Sequence, residues 1–156
     1  MMIEIERKFL VNSDTFKSEA FNSYTIKQGF LNSNKERTVR VRLIKDKGYI
    51  TVKGKSSLDG LSRFEWEKEI TTSEANSLLS LCEDGIIDKI RFEIKSGVHI
   101  FEVDEFFGNN QGLIVAEVEL KSENEDFDKP SWLGKEVTGK IEYYNSQLSK
   151  NPFGTW

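Results

Sequence analysis

The chain is short of the residues that staple or anchor proteins: one cysteine, one histidine and two prolines in 156 positions. No apolar run approaches the eighteen residues that a membrane-spanning helix needs. Each shortage excludes something. Cys82 alone makes no internal disulfide, and His99 has no ligand partner near it in sequence. The first ten residues, MMIEIERKFL, alternate charged with apolar instead of running basic and then greasy, so they do not read as a signal peptide. These features give the expectation of a reducing, cytoplasmic protein with no membrane partner. Basic residues are also outnumbered, 22 against 26 acidic, which argues against a general nucleic-acid binder. What the chain does contain is 37% hydrophobic and 31% charged residues with eleven Phe, the composition of an ordered globular protein. With no repeat, linker or composition shift, residues 1–156 read as one domain.

Period-two alternation recurs along most of the length, at Met2–Val11, Tyr24–Leu31, Arg37–Lys45, Tyr49–Lys53, Ser62–Ile70, Ile86–Ile94, Val98–Phe106 and Leu113–Leu120. That predicts about eight strands in a mainly β (α+β) fold. Turn chemistry at Asp46-Lys47-Gly48 and Ser96-Gly97, and a hairpin loop over 53–60, favour antiparallel connections. Two stretches break the alternation. After Thr71, a capping box with Glu74 and an apolar face at Ala75, Leu78, Leu79 and Cys82 predict a helix stopped by Gly85, with Cys82 a buried core thiol. Ile141, Tyr144 and Leu148 share a helical face before Pro152 and predict a second helix packed on the barrel.

Charged residues stand two apart on most strands, which puts them on one face roughly 7 Å from each other. Their signs are sorted. Acids pair at Glu4 and Glu6, Glu65 and Glu67, Glu102 and Asp104, and Glu117 and Glu119; bases fall at Lys8, Arg40 and Arg42, Lys53, and Lys89 and Arg91. A solvated outer face accounts for any one strand, but solubility alone mixes signs, because like charges on neighbouring positions repel. Eight strands closed into a barrel with these faces inward would form a narrow wet tunnel, since uncompensated ions in a dry interior each cost several kcal/mol. Carboxylates there suit a hard divalent cation, and the bases suit an elongated polyanion such as a phosphate chain.

Ile3-Glu4-Ile5-Glu6-Arg7-Lys8 resembles the ExExK signature of the CYTH superfamily, the triphosphate tunnel metalloenzymes. The resemblance continues in order through Gln28-Gly29-Phe30-Leu31, Arg40 with Arg42, Thr51-Val52-Lys53-Gly54, Ser62-Arg63-Phe64-Glu65-Trp66-Glu67, Lys89-Ile90-Arg91-Phe92, Ala116-Glu117-Val118-Glu119-Leu120 and Glu136-Val137-Thr138, closest to the short bacterial inorganic triphosphatase-like branch. It implies a closed eight-stranded antiparallel β-barrel with flanking helices, holding a triphosphate with Mg2+ or Mn2+. By position it implies Glu4, Glu6, Glu117 and Glu119 as metal ligands, with Asp104 as a further candidate. Glu65 and Glu67 are candidates for the catalytic set, Glu65 for a second metal or for water positioning. Lys8, Arg40, Arg42, Lys53 and Arg91 would hold phosphate oxygens, and Lys89 stands where a lysine is proposed to act in catalysis. Phe30 departs from a tyrosine that often partners that lysine, unless Tyr24, Tyr143 or Tyr144 reaches in. Glu142 departs from a basic tail position. The function implied is metal-dependent hydrolysis of a triphosphate, foremost inorganic tripolyphosphate. Two alternatives stand beside it: a class IV-type adenylyl cyclase making cyclic AMP from ATP, and a polyphosphate- or nucleotide-binding module without turnover. A small-molecule triphosphate is the expected partner, and a homodimer is left open.

Overall fold

The computed structural model describes residues 3–156, so Met2, the expected start of the first strand, lies outside the described residues. Nine strands form: β1 (Ile3–Val11), β2 (Asn22–Asn32), β3 (Arg37–Ile44), β4 (Lys47–Gly54), β5 (Ser62–Ile70), β6 (Ile87–Ser96), β7 (His99–Phe106), β8 (Ile114–Glu119) and β9 (Leu133–Glu136). The first eight close into an antiparallel ring in the order β5-β4-β3-β2-β6-β7-β8-β1, with β1 pairing back onto β5. Closure removes the sheet edges. The expected eight strands are therefore all present; β9 is an unforeseen addition of four residues that pairs outside the ring with the far end of β1.

Because the ring's interior is charged over most of its length, much of its apolar core lies outside. On one flank Phe9, Phe101, Val103, Ala116 and Val118 pack beneath Phe16 and Trp132, both fully buried; Phe16 begins the short helix α1 (Phe16–Glu19). On another flank helix α2 (Thr72–Leu79) lays Ala75 and Leu79 on Val41. Its predicted capping box is present: Thr71 Oγ1 accepts from the Glu74 N–H, and the Glu74 carboxylate accepts from the Thr71 N–H at 2.9 Å, a cap contributing about 1 kcal/mol. Gly48, expected in a turn, is needed for this packing instead, since a Cβ there would fall 2.6 Å from that of Ala75. The β3–β4 turn is carried by Lys45 at φ 56°.

Three other expectations are corrected. α2 ends at Leu79, ahead of Gly85. Cys82 is only half-buried, its thiol donating to the Leu78 carbonyl at 3.4 Å. The C-terminal stretch is not one helix: a 3-10 turn over Ile141–Tyr143 meets an extended Tyr144, followed by the short α3 (Asn145–Leu148). That break drives Leu148 into a cluster with Phe30, Ile87, Phe106 and Leu113, so the tail plugs one end of the ring. No helix among the described residues is long and apolar enough to cross a membrane.

Candidate active site in the barrel tunnel

The ring encloses a cavity of about 270 Å³ lined by Glu4, Glu6 and Lys8 of β1, Arg40 and Arg42 of β3, Lys53 of β4, Arg63, Glu65 and Glu67 of β5, Lys89 and Arg91 of β6, Glu102 of β7 and Glu117 and Glu119 of β8. Thirteen of the fourteen charges sorted by sign in the sequence line this one space; the exception is Asp104, which shares a strand face with Glu102 but is buried against Arg91 and Lys89. Strand order explains why sorted signs matter. β7, β8, β1 and β5 are consecutive in the ring and carry the acids, while β4, β3, β2 and β6 complete it and carry most of the bases. The tunnel has an acidic half-wall and a basic half-wall.

On the acidic side, register sets like charges face to face: Glu6 opposite Glu119, and Glu117 opposite Glu102. Such pairs are destabilising unless a cation or proton intervenes. Burial, then Glu117 and Glu4, push the Glu6 carboxyl well above its ordinary pKa. Burial opposes the Glu117 charge, yet Lys8, a hydrogen bond from Glu6 and the nearby bases hold its pKa well below normal. The opposite shifts make Glu6 the member of the pair that takes up a proton more readily. Lys8 stands 3.8 Å from Glu117. Glu4 is paired with Lys53 at 2.8 Å, which outweighs burial and lowers its pKa; Glu65 lies 3.3 Å from the same lysine, and burial and Glu4 raise it. Glu119 has no ion pair among the described residues and is raised by burial and by Glu4, Glu65 and Glu102.

On the basic side, Arg42 donates to Glu67 at 2.8 Å and Arg40 to Thr51 Oγ1 at 3.2 Å, yet the Nε of both arginines is buried without an acceptor. Burial and neighbouring Arg42 lower Arg40 to about 9, the mark of a guanidinium short of counter-charge. Glu67 is held by Arg42, by Thr51 at 2.6 Å and by Arg40 at 3.7 Å, so it positions arginines rather than standing free. Asp104 is fully committed to bases, accepting from Arg91 Nε at 2.8 Å and Nη2 at 2.9 Å and from Lys89 Nζ at 2.8 Å. Against the cost of burial, those two cations depress it to about 2. Asp104, expected as a further metal-ligand candidate, is thus buried at 2% exposure against the two bases and is outside the cavity lining. Burial lowers Lys89 to about 8 despite Asp104.

The acids fit a cation by their chemistry. Hard oxygen donors crowd one wall, and a divalent ion there would offset their mutual repulsion. Among the described residues no three of them close around one point tightly enough to chelate an ion alone. A cation here would complete its shell with water and ligand oxygens, as magnesium commonly does at phosphate sites.

Of the tyrosines weighed as substitutes for a phenol at position 30, Tyr144 enters the cavity but meets Lys8, whose Nζ lies 5.2 Å from the ring centre; its hydroxyl pairs with Ser56. Tyr143 packs on Trp156, and Tyr24 opposes Arg91 in the β2–β6 register. Glu142 is exposed and outside the lining. Sequence reasoning missed Arg63, although it shares the two-residue register of Glu65 and Glu67. It also missed Asn145, which no alternation marks because it lies on the plug.

Comparison with known proteins agrees with this geometry. The chain is 49% identical over 151 residues to a protein named inorganic triphosphatase from Acetivibrio thermocellus, covering 96% of this chain and 95% of that one. It is 34% identical over 152 residues to one of the same name from Nitrosomonas europaea, covering 95% and 97%. A crystal structure of an inorganic triphosphatase superposes with a TM-score of 0.64 at 30% identity, over 94% of this chain and 97% of that one. Residues 2–151 match the CYTH domain, and the chain belongs to the CYTH family.

Proposed function

We propose that the protein hydrolyses inorganic tripolyphosphate in the barrel tunnel with the help of a divalent cation, Mg2+ or Mn2+. The observation that carries this reading is the divided tunnel: Arg40, Arg42, Lys53, Lys89 and Arg91 line one side, and on the other Glu6 stands opposite Glu119 and Glu117 opposite Glu102. One wall suits an anion and the other suits a cation. A triphosphate and a divalent ion together supply both.

In this reading Arg40, Arg42, Lys53 and Arg91 hold phosphate oxygens, the arginines in fork-like contacts, and Lys8 engages one end of the chain. Glu4, Glu6, Glu117 and Glu119 would hold the cation, which supplies charge stabilisation of the phosphoryl oxygens. Glu65, raised and facing the cavity, positions the attacking water and takes its proton. The water oxygen bonds to the terminal phosphorus as the bridging P–O bond breaks. Negative charge then gathers on the pyrophosphate leaving oxygen, where the Lys89 ammonium and Arg91 stabilise it. The lining's two aromatic residues are both occupied, Phe30 packed at 4% exposure among Ile87, Phe106 and Leu148 and Tyr144 taken up by Lys8, so the phosphate chain rather than a base is read. Phosphate release from tripolyphosphate with magnesium, with and without chelator, tests the reading. Metal-dependent release supports it. Tight binding without release overturns it in favour of a binding module, and cyclic AMP made from ATP overturns it in favour of a cyclase.

A further inference from the structure

Asn145 lies on the plug, outside the ring, yet it ties together side chains of two strands. Its Oδ1 accepts from Lys89 Nζ at 3.0 Å and from Gln28 Nε2 at 2.8 Å. An ammonium has donors only, so the amide atom facing Lys89 must be the oxygen, and the orientation of the side chain follows. The Nδ2 hydrogens therefore point elsewhere. They meet no protein acceptor among the described residues, Nδ2 is not among the buried orphaned atoms, and the residue lines the tunnel beside Phe30, Lys89 and Tyr144. Gln28 is fully buried behind Asn145, which fixes the oxygen's direction. Lys89 spends two of its three N–H groups on Asp104 and Asn145 and has none bonded to a hydroxyl, because position 30 is Phe. One hydrogen of Lys89 and the two of Asn145 Nδ2 are left for a ligand in the same corner.

We infer that Asn145 is a further substrate-contacting residue of this site: its oxygen aims Lys89, and its Nδ2 hydrogens donate to the phosphoryl oxygens that Lys89 faces. The inference rests on the triphosphatase reading. It makes the plug part of the reaction site as well as a stopper, held in place by the buried Leu148 and Ser146. A donor aimed at developing charge acts on turnover more than on ground-state binding.

Asn145→Asp separates this role from a structural one, because the carboxylate keeps an acceptor for both Lys89 and Gln28 but removes the donors and adds repulsion toward phosphate. The assay is steady-state tripolyphosphate hydrolysis with magnesium, read together with melting temperature and with Asn145→Ala. In Asn145→Asp we expect kcat to fall by about 10²- to 10³-fold, the usual loss of one preorganised donor, with little change in melting temperature. In Asn145→Ala a similar fall in kcat should outweigh any rise in KM. Near-wild-type turnover in Asn145→Asp, or a rise in KM alone in both variants, would overturn the inference and leave the triphosphatase reading standing. A wild-type protein that releases no phosphate would overturn the reading and the inference together.

Discussion

Two clusters in the tunnel solve the problem of buried charge in opposite ways. Along β6 and β7, Lys89 and Arg91 are satisfied by Asp104 within 2.9 Å, and the group is closed. Along β1 and β8, Glu6 faces Glu119 with its pKa raised by burial, Glu117 and Glu4, and the group is open. A closed cluster holds its shape without a ligand. An open one changes protonation and charge when a cation arrives. The difference teaches where the protein is already organised and where it waits for ligand: phosphate-facing bases are fixed in advance, whereas the cation wall is completed by binding.

The largest expected effect comes from disabling the open wall. Glu6→Gln keeps the shape of the side chain but removes a hard anionic donor, and magnesium-dependent turnover should fall by at least about 10²-fold while the fold persists. Phosphate release and melting temperature measured side by side check this, and wild-type turnover would remove Glu6 from the cation set. Breaking the closed cluster should instead show in stability as well. Lys89→Ala leaves Asp104 with Arg91 alone and should cost several kcal/mol, at most the roughly 3–5 kcal/mol typical of a broken buried pair, along with turnover. Denaturant titration measures the first part. Intermediate between these, Arg42→Ala should weaken tripolyphosphate and ATP binding alike, since the guanidinium reads only the phosphate chain; calorimetry with both ligands decides it, and a loss confined to ATP would favour the cyclase.

The comparison also explains what was legible in the sequence. Alternation located eight strands, and the two-residue spacing of Glu4/Glu6, Arg40/Arg42 and Glu117/Glu119 put them on one face, because the pleat has a fixed period. The gathering of acidic strands into one half of the ring was not legible, since strand order is set by closure of β1 on β5 across some sixty residues. Asp104 has the same spacing signal as Glu102, and only the reach of Arg91 and Lys89 across the β6–β7 ladder shows that it is spoken for. Asn145 escaped for another reason: the extended Tyr144 splits the segment into two short helical turns, so the helical face read through Ile141, Tyr144 and Leu148 does not place it in the tunnel.

A smaller effect should appear in the pH dependence of the metal-free protein. Glu6, Glu65, Glu102 and Glu119 all have folded pKa values raised above 4.5 by burial and neighbouring acids. An acid raised in the folded state contributes stability that is complete below its unfolded pKa and is lost as pH rises through the folded one. The melting temperature should therefore decline as pH climbs above about 4.5, where the unfolded chain ionises first. Glu6→Gln should flatten that decline, and magnesium with tripolyphosphate should reverse it by occupying both walls. An identical slope in Glu6→Gln and wild type would mean that Glu6 is not among the carboxyls raised on folding.

The smallest effect is expected at Phe30, where the closed cluster meets the plug. If hydrolysis depended on a phenol beside Lys89 for proton transfer, Phe30→Tyr would accelerate turnover by about 10²- to 10⁴-fold. The structure argues otherwise. Lys89 already has two acceptors in Asp104 and Asn145, and Phe30 packs at 4% exposure with Leu148, Ile87 and Phe106, so a new hydroxyl enters an apolar cluster with only the edge of the cavity in reach. A largely dissociative phosphoryl transfer also asks little of early proton movement and much of charge placement, which the arginines and Lys89 provide. Turnover in Phe30→Tyr should therefore stay within a few fold of wild type, with a modest loss of stability from the buried hydroxyl. A hundredfold gain would show that the closed cluster lacks a proton donor after all, and would shift the rate-limiting deficiency from the open wall to this corner of the tunnel.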